Sequence, residues 1–283
     1  MKAIQVHQYG GADVLQLEEI PTPIPHEDEV LIQVKAAALN PVDTKIRNGY
    51  LQTIVPKTFP FIPGWEAAGI VKAVGKNVTA FAIGDEVITR TPFQKGGGYA
   101  EYMTAGEQEV VAKPSTLSFS EAASLSIVGG AAYTALFLLA KLQAGQKLFI
   151  LGASGAVGSL ATQMAIKAGA TVITIANGQT DIDVALDLVG GPAQDTLWPL
   201  LKKNGLLLSS ATPPSPEKAK QYGVNATFMF TTPDRSVMKK VAEMAGSGEI
   251  KLKIGKVLPL SQAREAQELM EARSIKGKIV LEP

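Results

Sequence analysis

A glycine-rich turn in the middle of the chain carries the clearest chemical signal. The apolar run 147–151 predicts a buried strand, and the glycine turn 152–158 leads directly from it into a helix that closes at Gly169. In such a unit the first glycine permits the tight turn, the second lets backbone approach a pyrophosphate, and the third allows close helix packing. Free N–H groups at the helix start would face the phosphates. We expect a dinucleotide site at Gly152, Ser154, Gly155, Ala156, Val157 and Gly158; the alternative is a tight turn without a ligand.

The end of the next predicted strand, 171–175, bears on the choice of cofactor. An NAD site usually has an acidic residue there to bind the ribose 2′-hydroxyl, but this chain continues with Ala176, Asn177 and Gly178. No carboxylate would repel a 2′-phosphate, and no Arg or Lys would hold one. The sequence therefore favours NADP(H) modestly. Further cofactor contacts are expected where the other parallel strands end, at Val189 and Ser210, beside Asn177.

The elements around this unit divide into two patterns. Residues 1 to about 115 contain short β-like runs punctuated by Gly and Pro, which predict an irregular antiparallel barrel. From about 118 the pattern becomes helical and then alternates between strand and helix, which predicts a parallel sheet flanked by helices. The last stretch holds an amphipathic helix and a final strand, 277–281. We expect a barrel domain of residues 1–117 and 256–283 and a nucleotide-binding domain of residues 118–255.

Composition excludes several classes of site and partner. The chain has 283 residues, a net charge of +1, no Cys and two His, His7 and His26. Thiolate catalysis and Cys-ligated zinc are excluded, and a histidine-built metal site nearly so, so we predict no metal. Near-neutrality gives no field that would attract nucleic acid or an anionic membrane.

One uncharged stretch, 122–140, has the length of a membrane span. It contains several small and polar residues, and we interpret it as two buried helices that meet at Gly129–Gly130. Ser118 and Glu121 form a capping box that would start the first helix. Residues 1–6 alternate like a strand and show no signal peptide, so we expect a cytoplasmic protein.

Motifs along nearly the whole chain resemble one superfamily. They are the segments 40–49, 61–69, 84–87, 97–102, 152–158 and 277–280. Together they resemble the medium-chain dehydrogenase/reductase superfamily, and within it the zinc-free quinone oxidoreductase (zeta-crystallin-like) branch. Zinc-dependent relatives have His after the glycine that corresponds to Gly64, where this chain has Trp65. The resemblance implies an α/β protein with a GroES-like β-barrel catalytic domain and a Rossmann-type nucleotide-binding domain.

The resemblance also implies an activity, which is NADPH-dependent reduction of quinones or α,β-unsaturated carbonyls without zinc. Asn40 and Asp43 would lie near the nicotinamide as catalytic residues, with Thr134 on a helix that faces it. Judged from the residues alone, the segment 40–43 could instead be a loop turn with an Asx cap. Pocket walls could be Tyr50, Trp65, Phe93 and Tyr99, although each could be ordinary packing. Some quinone reductases carry Tyr where this chain has Lys45.

A gap interrupts the nucleotide-binding pattern. Relatives continue after the second strand with a helix, a strand and another helix, whereas this chain offers only residues 177–182 before the strand 183–189. That length holds no crossover helix, and Asn177–Gly178 is also a hairpin signal, so an antiparallel joint is an alternative. Three explanations are open: the sequence omits a segment, the gene is naturally shortened, or the deletion is engineered. An omitted segment is slightly favoured, since a real deletion would expose apolar surface. A real deletion would also weaken binding of the adenosine end.

After the gap the pattern predicts a short helix at 195–203, a strand at 206–211 and an apolar strand at 227–230. An apolar edge strand is an aggregation hazard unless it is paired. We therefore expect it to join a homodimer interface; the alternative is a strand covered by its own helix.

Two classes of function fit the sequence. The first is an NADPH-dependent reductase of quinones or enones. The second is a nucleotide-binding structural or sensing relative with little or no turnover, which the gap and the missing proton donor make credible. Pocket shape rather than motif separates them.

Overall fold

The computed structural model describes residues 1–176, 178 and 180–283, so Asn177, which the sequence places among the cofactor contacts, lies outside the described residues. The chain divides into two compact units. The first comprises Met1–Ile127, Pro233–Ser247 and Leu252–Pro283, and the second Val128–Thr232 and Gly248–Lys251. These bounds differ from the sequence-derived ones at 118–127, 233–247 and 252–255. Within the described ranges, no helix is long and apolar enough to cross a bilayer.

Strands and helices follow one another along the chain with these bounds. The strands are β1 (Lys2–Gln5), β2 (Gln16–Glu19), β3 (Glu29–Ala38), β4 (Glu66–Val74), β5 (Glu86–Arg90), β6 (Tyr102–Gly106), β7 (Val110–Ala112), β8 (Lys147–Leu151), β9 (Thr171–Ile173), β10 (Ile182–Asp187), β11 (Leu201–Ser209), β12 (Asn225–Phe228), β13 (Ile254–Pro259) and β14 (Lys278–Glu282). The helices are α1 (Pro41–Arg47), α2 (Phe119–Ala123), α3 (Ser126–Tyr133), α4 (Ala156–Lys167), α5 (Pro216–Tyr222), α6 (Arg235–Gly246) and α7 (Ala263–Glu271).

The first unit is built on a predominantly antiparallel sheet in the order β13-β14-β3-β4-β5-β7, with β6 paired to β3. Its central strand β3 shows the expected alternation, because Val30, Ile32 and Val34 are buried while their neighbours are partly exposed. The C-terminal strand β14 pairs antiparallel with β3 at the end that leads into α1. Chain order thus brings a residue of β14 beside the turn after β3.

The second unit contains a wholly parallel sheet in the order β12-β11-β10-β8-β9. Because its strands run in one direction, the residues that follow β8, β10 and β11 meet at the same edge of the sheet. One face packs against an apolar cluster that includes Leu197 and the fully buried Trp198. The fold class expected from the sequence, a barrel-type sheet plus a parallel nucleotide-binding sheet, is confirmed.

Several local predictions hold. Strand β8 has the predicted bounds, and the capping box at the start of α2 is present: the Glu121 N–H donates to Ser118 Oγ at 3.2 Å, and the Ser118 N–H donates to the Glu121 carboxylate at 2.9 Å. Between β9 and β10 the described residues contain neither helix nor strand. The alternative of an antiparallel joint is excluded, because β9 and β10 both run parallel to β8.

Two other predictions are wrong for identifiable reasons. The break between the helices of the uncharged stretch lies at Ser124–Leu125, and Gly129 and Gly130 are buried inside α3, where small residues suit close packing. The predicted helix at 195–203 is absent. Its first part forms 3-10 turns, Gly191–Thr196 and Trp198–Leu200, each with a proline near its start, and β11 begins at Leu201.

Candidate active site

The glycine turn joins β8 to α4 with a backbone that requires glycine at two points. Gly152 has φ of +91°, in the left-handed region that side chains disfavour. A Cβ on Gly158 would lie 2.3 Å from the Gly152 carbonyl oxygen, so only glycine lets the helix start this close to the strand. Gly155 is the N-cap of α4 and has no side chain to satisfy the first-turn N–H groups. Ser154 and Gly155 are exposed, and the N–H groups of Ala156, Val157 and Gly158 are left open at the helix start.

The ends of β10 and β11 meet beside this turn. A Cβ on Gly152 would lie 3.1 Å from Val189 Cγ2, which puts Val189 against the turn. Ser210 donates its N–H to the Asp187 carbonyl at 3.1 Å. The structure thus brings three predicted cofactor positions, Gly152, Val189 and Ser210, to one sheet edge.

A buried carboxylate holds this edge together, and no local sequence pattern indicated its role. Asp187 is fully buried, and one of its oxygens accepts the N–H groups of Val189 and Gly190 at 3.0 and 2.8 Å. The other oxygen accepts Ser209 Oγ at 2.8 Å and Gln194 Nε2 at 2.9 Å. Asp187 therefore ties the loop after β10 to the end of β11.

Thr134 lies where the helical backbone changes its hydrogen-bond pattern. Helix α3 ends at Tyr133, and residues Thr134–Leu139 form a π-helical segment. Such segments are frequent at functional sites. Thr134 is half-buried, so its hydroxyl is partly accessible.

In the first unit, the predicted catalytic pair stands at the start of α1. Asn40 is the N-cap and Pro41 the first helical residue, which suits proline because that N–H needs no partner. The Asn40 side chain does not cap the helix: its Oδ1 accepts from Lys278 Nζ at 2.7 Å, and its Nδ2 donates to Glu66 Oε1 at 2.8 Å. The capping carboxylate is that of Asp43, which accepts the Asn40 N–H at 3.0 Å.

Asp43 occupies an unusual electrostatic environment. It is fully buried, and its Oδ2 accepts the Tyr99 hydroxyl at 2.7 Å, while its Oδ1 has no hydrogen-bond partner among the residues that the structure describes. Burial is the largest influence and raises the pKa of Asp43 to about 7. The hydrogen bonds from Tyr99 and the Asn40 N–H act in the opposite direction and offset part of this rise. Burial and the neighbouring Asp43 raise the pKa of Tyr99 well above its usual range. Asp43 can therefore hold a proton near neutral pH.

Glu66 and Lys278 complete this cluster, and neither was expected from the sequence. Glu66 has no exposed surface and Lys278 has 5%, and their charged groups lie 3.0 Å apart. The two residues are 212 positions apart in the chain, so no local pattern could pair them. The sequence shows only a charged residue at the start of each of two mainly apolar strands, β4 and β14.

The four predicted pocket walls differ in exposure. Tyr50 is 77% exposed and Phe93 is half-buried, whereas Trp65 and Tyr99 are fully buried. Trp65 Nε1 donates to the Phe93 carbonyl at 2.9 Å, and the two rings meet edge to face at 5.9 Å between centroids. Lys57 covers the Trp65 ring at 5.0 Å, and burial lowers the pKa of Lys57 to about 8.

In the part of the chain that the structure describes, no three His, Cys, Asp or Glu residues are grouped so as to hold a metal ion. The residues that could hold a cofactor are those of the glycine turn and the neighbouring strand ends. Their shape, a glycine cradle with open N–H groups and no acidic side chain in the first turn of α4, fits an anionic phosphate.

Known proteins resemble both parts of the chain. Residues 26–115 match the family described as alcohol dehydrogenase GroES-like domain, and residues 151–281 match the one described as zinc-binding dehydrogenase. The quinone oxidoreductase of Lama guanicoe is 30% identical over 324 aligned positions, which cover 99% of this chain and 97% of that protein. Since this chain has 283 residues, that relative contains residues that this chain lacks.

Solved structures agree with these matches. The quinone oxidoreductase of Coxiella burnetii superposes with a TM-score of 0.91 at 30% identity, covering 100% of this chain and 99% of that one. The quinone oxidoreductase of Escherichia coli, solved in complex with NADPH, has a TM-score of 0.87 at 25% identity and full coverage of both chains. The chain therefore belongs to the quinone oxidoreductase (zeta-crystallin-like) branch of the medium-chain dehydrogenase/reductase superfamily.

Proposed function

We propose that the protein is an NADPH-dependent reductase that transfers hydride to quinones or α,β-unsaturated carbonyls without zinc. The observation that carries the proposal is the glycine cradle at the carboxyl edge of the parallel sheet, with Val189 and Ser210 beside it. Family membership supports the reaction class, and the NADPH complex of the Escherichia coli relative supports the cofactor. The absence of Cys from the chain supports zinc independence.

In this proposal the second unit holds the cofactor. The open N–H groups of Ala156, Val157 and Gly158 would bind the pyrophosphate, and Gly155 leaves room for it to approach the backbone. Val189, Ser210 and Thr134 would contact the nicotinamide half of the cofactor. The bound dihydronicotinamide supplies the hydride. The residues 118–255 are proposed as the nucleotide-binding domain.

Residues 1–117 and 256–283 are proposed as the catalytic domain. Asn40 would orient the substrate oxygen and Asp43 would hold the turn that carries Asn40, as their shared hydrogen bond indicates. Tyr50 and Phe93 have accessible surface for a pocket wall, and the buried Trp65 and Tyr99 would support it from behind. We assign the proton that completes the reduction to solvent water. The cytoplasmic location stays a prediction.

Cofactor titration followed by an acceptor panel tests the proposed function. We expect NADPH to bind more tightly than NADH, by less than about tenfold, because residues 176–178 include neither an acid nor a cation for the 2′ position. We then expect NADPH oxidation with at least one quinone or enone. Binding of NADPH without oxidation across the panel would instead identify the structural or sensing relative. Failure of both dinucleotides to bind would contradict both readings.

A homodimer formed through β12 is proposed as well. This strand pairs only with β11 among the described residues, and the exposed fractions of Phe228 and Phe230 are 42% and 52%. We expect the protein to elute as a dimer and Phe228→Glu to shift it towards the monomer, because a buried unpaired charge is costly. Leu138→Glu, at an exposed apolar residue of the π-helical segment, serves as the control. A monomeric wild type at micromolar concentration would contradict the proposal.

A further inference from the structure

The ammonium group of Lys278 is buried beside the Asn40 turn with every one of its hydrogens used. It donates to the Leu39 carbonyl at 2.6 Å, to Asn40 Oδ1 at 2.7 Å and to Glu66 Oε1 at 3.0 Å. An ammonium has three hydrogens and no acceptor. Lys278 can therefore donate no further hydrogen bond, and its charge also favours the ionised form of the nearby Asp43.

Glu66 closes the arrangement from the other side. Its Oε1 accepts from Lys278 and from Asn40 Nδ2, and its Oε2 accepts the N–H of Ile127 at 2.7 Å. The buried guanidinium of Arg90 interacts electrostatically with the same carboxylate. Burial lowers the pKa of Arg90, and the charge of Glu66 offsets part of that lowering. Three side chains, from Lys278, Glu66 and Asn40, thus form a closed ring of hydrogen bonds.

This ring determines which way the Asn40 amide points. A lysine ammonium only donates and a carboxylate only accepts, so Oδ1 must face Lys278 and one Nδ2 hydrogen must face Glu66. A flipped amide would set its NH₂ group against the ammonium and its oxygen against the carboxylate. The second Nδ2 hydrogen has only the Ala38 carbonyl, at 3.5 Å, the limit of a hydrogen bond.

We propose that Lys278, together with Glu66, is a positioning residue that orients the Asn40 amide so that its second Nδ2 hydrogen is available to the oxygen of a quinone or enone. The ammonium on Oδ1 also polarises the amide and strengthens that N–H as a donor. Such a donor stabilises the charge that develops on the acceptor oxygen during hydride transfer. The proposal rests on the proposed reductase function.

The test compares a double variant, in which both charges of the Lys278–Glu66 pair are removed, with a control variant of a nearby lysine. Lys278→Met alone leaves the buried Glu66 carboxylate without its ammonium partner, so Lys278→Met/Glu66→Gln, which removes both charges of this pair, is the main variant. Lys276→Met, at an exposed lysine on the approach to β14, is the matched control. Each protein is measured for melting temperature, NADPH affinity, and kcat and KM for quinone reduction, and the ¹⁵N side-chain amide signals of Asn40 are recorded.

We expect the folded double variant to keep its NADPH affinity, to lose about tenfold to a hundredfold in kcat, and to shift the Asn40 amide signals. The Lys276→Met control should match the wild type. An unchanged kcat and unchanged Asn40 signals in the folded double variant would overturn the proposal. If the wild type turns over no acceptor, the reductase function fails; in that case the Asn40 signals alone test the positioning, and their persistence in the double variant would refute it.

Discussion

Replacement of Gly158 by alanine should abolish NADPH binding and lower the melting temperature by several degrees. The added Cβ would lie 2.3 Å from the Gly152 carbonyl oxygen and 2.6 Å from Ala153 Cα, and both are backbone atoms that cannot rotate away. Overpacking of this kind costs about 1–3 kcal/mol or more. Relief requires α4 to move away from β8, which displaces the N–H groups that would bind the pyrophosphate. Thermal melting and NADPH titration measure the two effects.

Gly155→Ala separates the two effects. A Cβ there has an ordinary contact, 3.4 Å from the Gly152 oxygen, and φ at Gly155 is −73°, which alanine adopts freely. We expect this variant to melt like the wild type and yet to bind NADPH at least about tenfold more weakly, because its methyl group occupies the approach to the pyrophosphate. A Gly158→Ala protein that melts normally and binds NADPH would contradict the packing argument. Normal affinity in Gly155→Ala would contradict the cradle.

These two glycines illustrate what the sequence could predict. The apolar run before the turn, the glycine spacing and the helical pattern after it are all local, and they specified β8 with its exact bounds and the start of α4. Local patterns also found the capping box of α2. Each of these features depends on residues within a few positions of one another, so the sequence contains the whole physical cause.

Features that depend on packing could not be predicted in this way. Gly129 and Gly130 would weaken an isolated helix, but both are buried within α3, where tertiary packing outweighs intrinsic propensity. The segment 195–203 has apolar residues at helical spacing, yet its C-terminal part pairs with β10, as the register Ile182 with Leu201 shows. A strand position in a parallel sheet offers more backbone hydrogen bonds than a short surface helix.

The same distinction between local sequence and tertiary packing applies to the candidate site. Asn40 and Asp43 belong to one turn and were predicted from the family resemblance of the segment 40–49, whereas Lys278 reaches that turn only because β14 pairs with the end of β3. The role of Asp187 likewise could not be predicted from the sequence, since its partners Gln194 and Ser209 come from different elements. Residues that touch the proposed ligands carry sequence signatures, and residues that hold them in place depend on the completed fold.

Asp43→Asn should make the protein more stable than the wild type at alkaline pH, with a gain that grows with pH. An aspartate in the unfolded chain ionises near pH 3.8, whereas burial raises the pKa of Asp43 in the folded protein to about 7. Between these values the unfolded state binds fewer protons than the folded state, so the contribution of Asp43 makes the free energy of unfolding fall as pH rises. Asparagine cannot ionise, and its Oδ1 can still accept the Tyr99 hydroxyl and the Asn40 N–H.

Equilibrium urea unfolding of both proteins at about pH 5 and about pH 8 measures this effect. The two pKa values imply that the difference in unfolding free energy shifts in favour of Asp43→Asn by about 3 kcal/mol over this range. Asp13→Asn, at an exposed aspartate, is the control and should show no comparable shift. Carboxylates remote from Asp43 contribute equally in both proteins and cancel in the comparison. If the difference in unfolding free energy between the two proteins stays constant from pH 5 to pH 8, Asp43 is already ionised at the lower pH. The unpartnered Oδ1 would then not indicate a protonated acid.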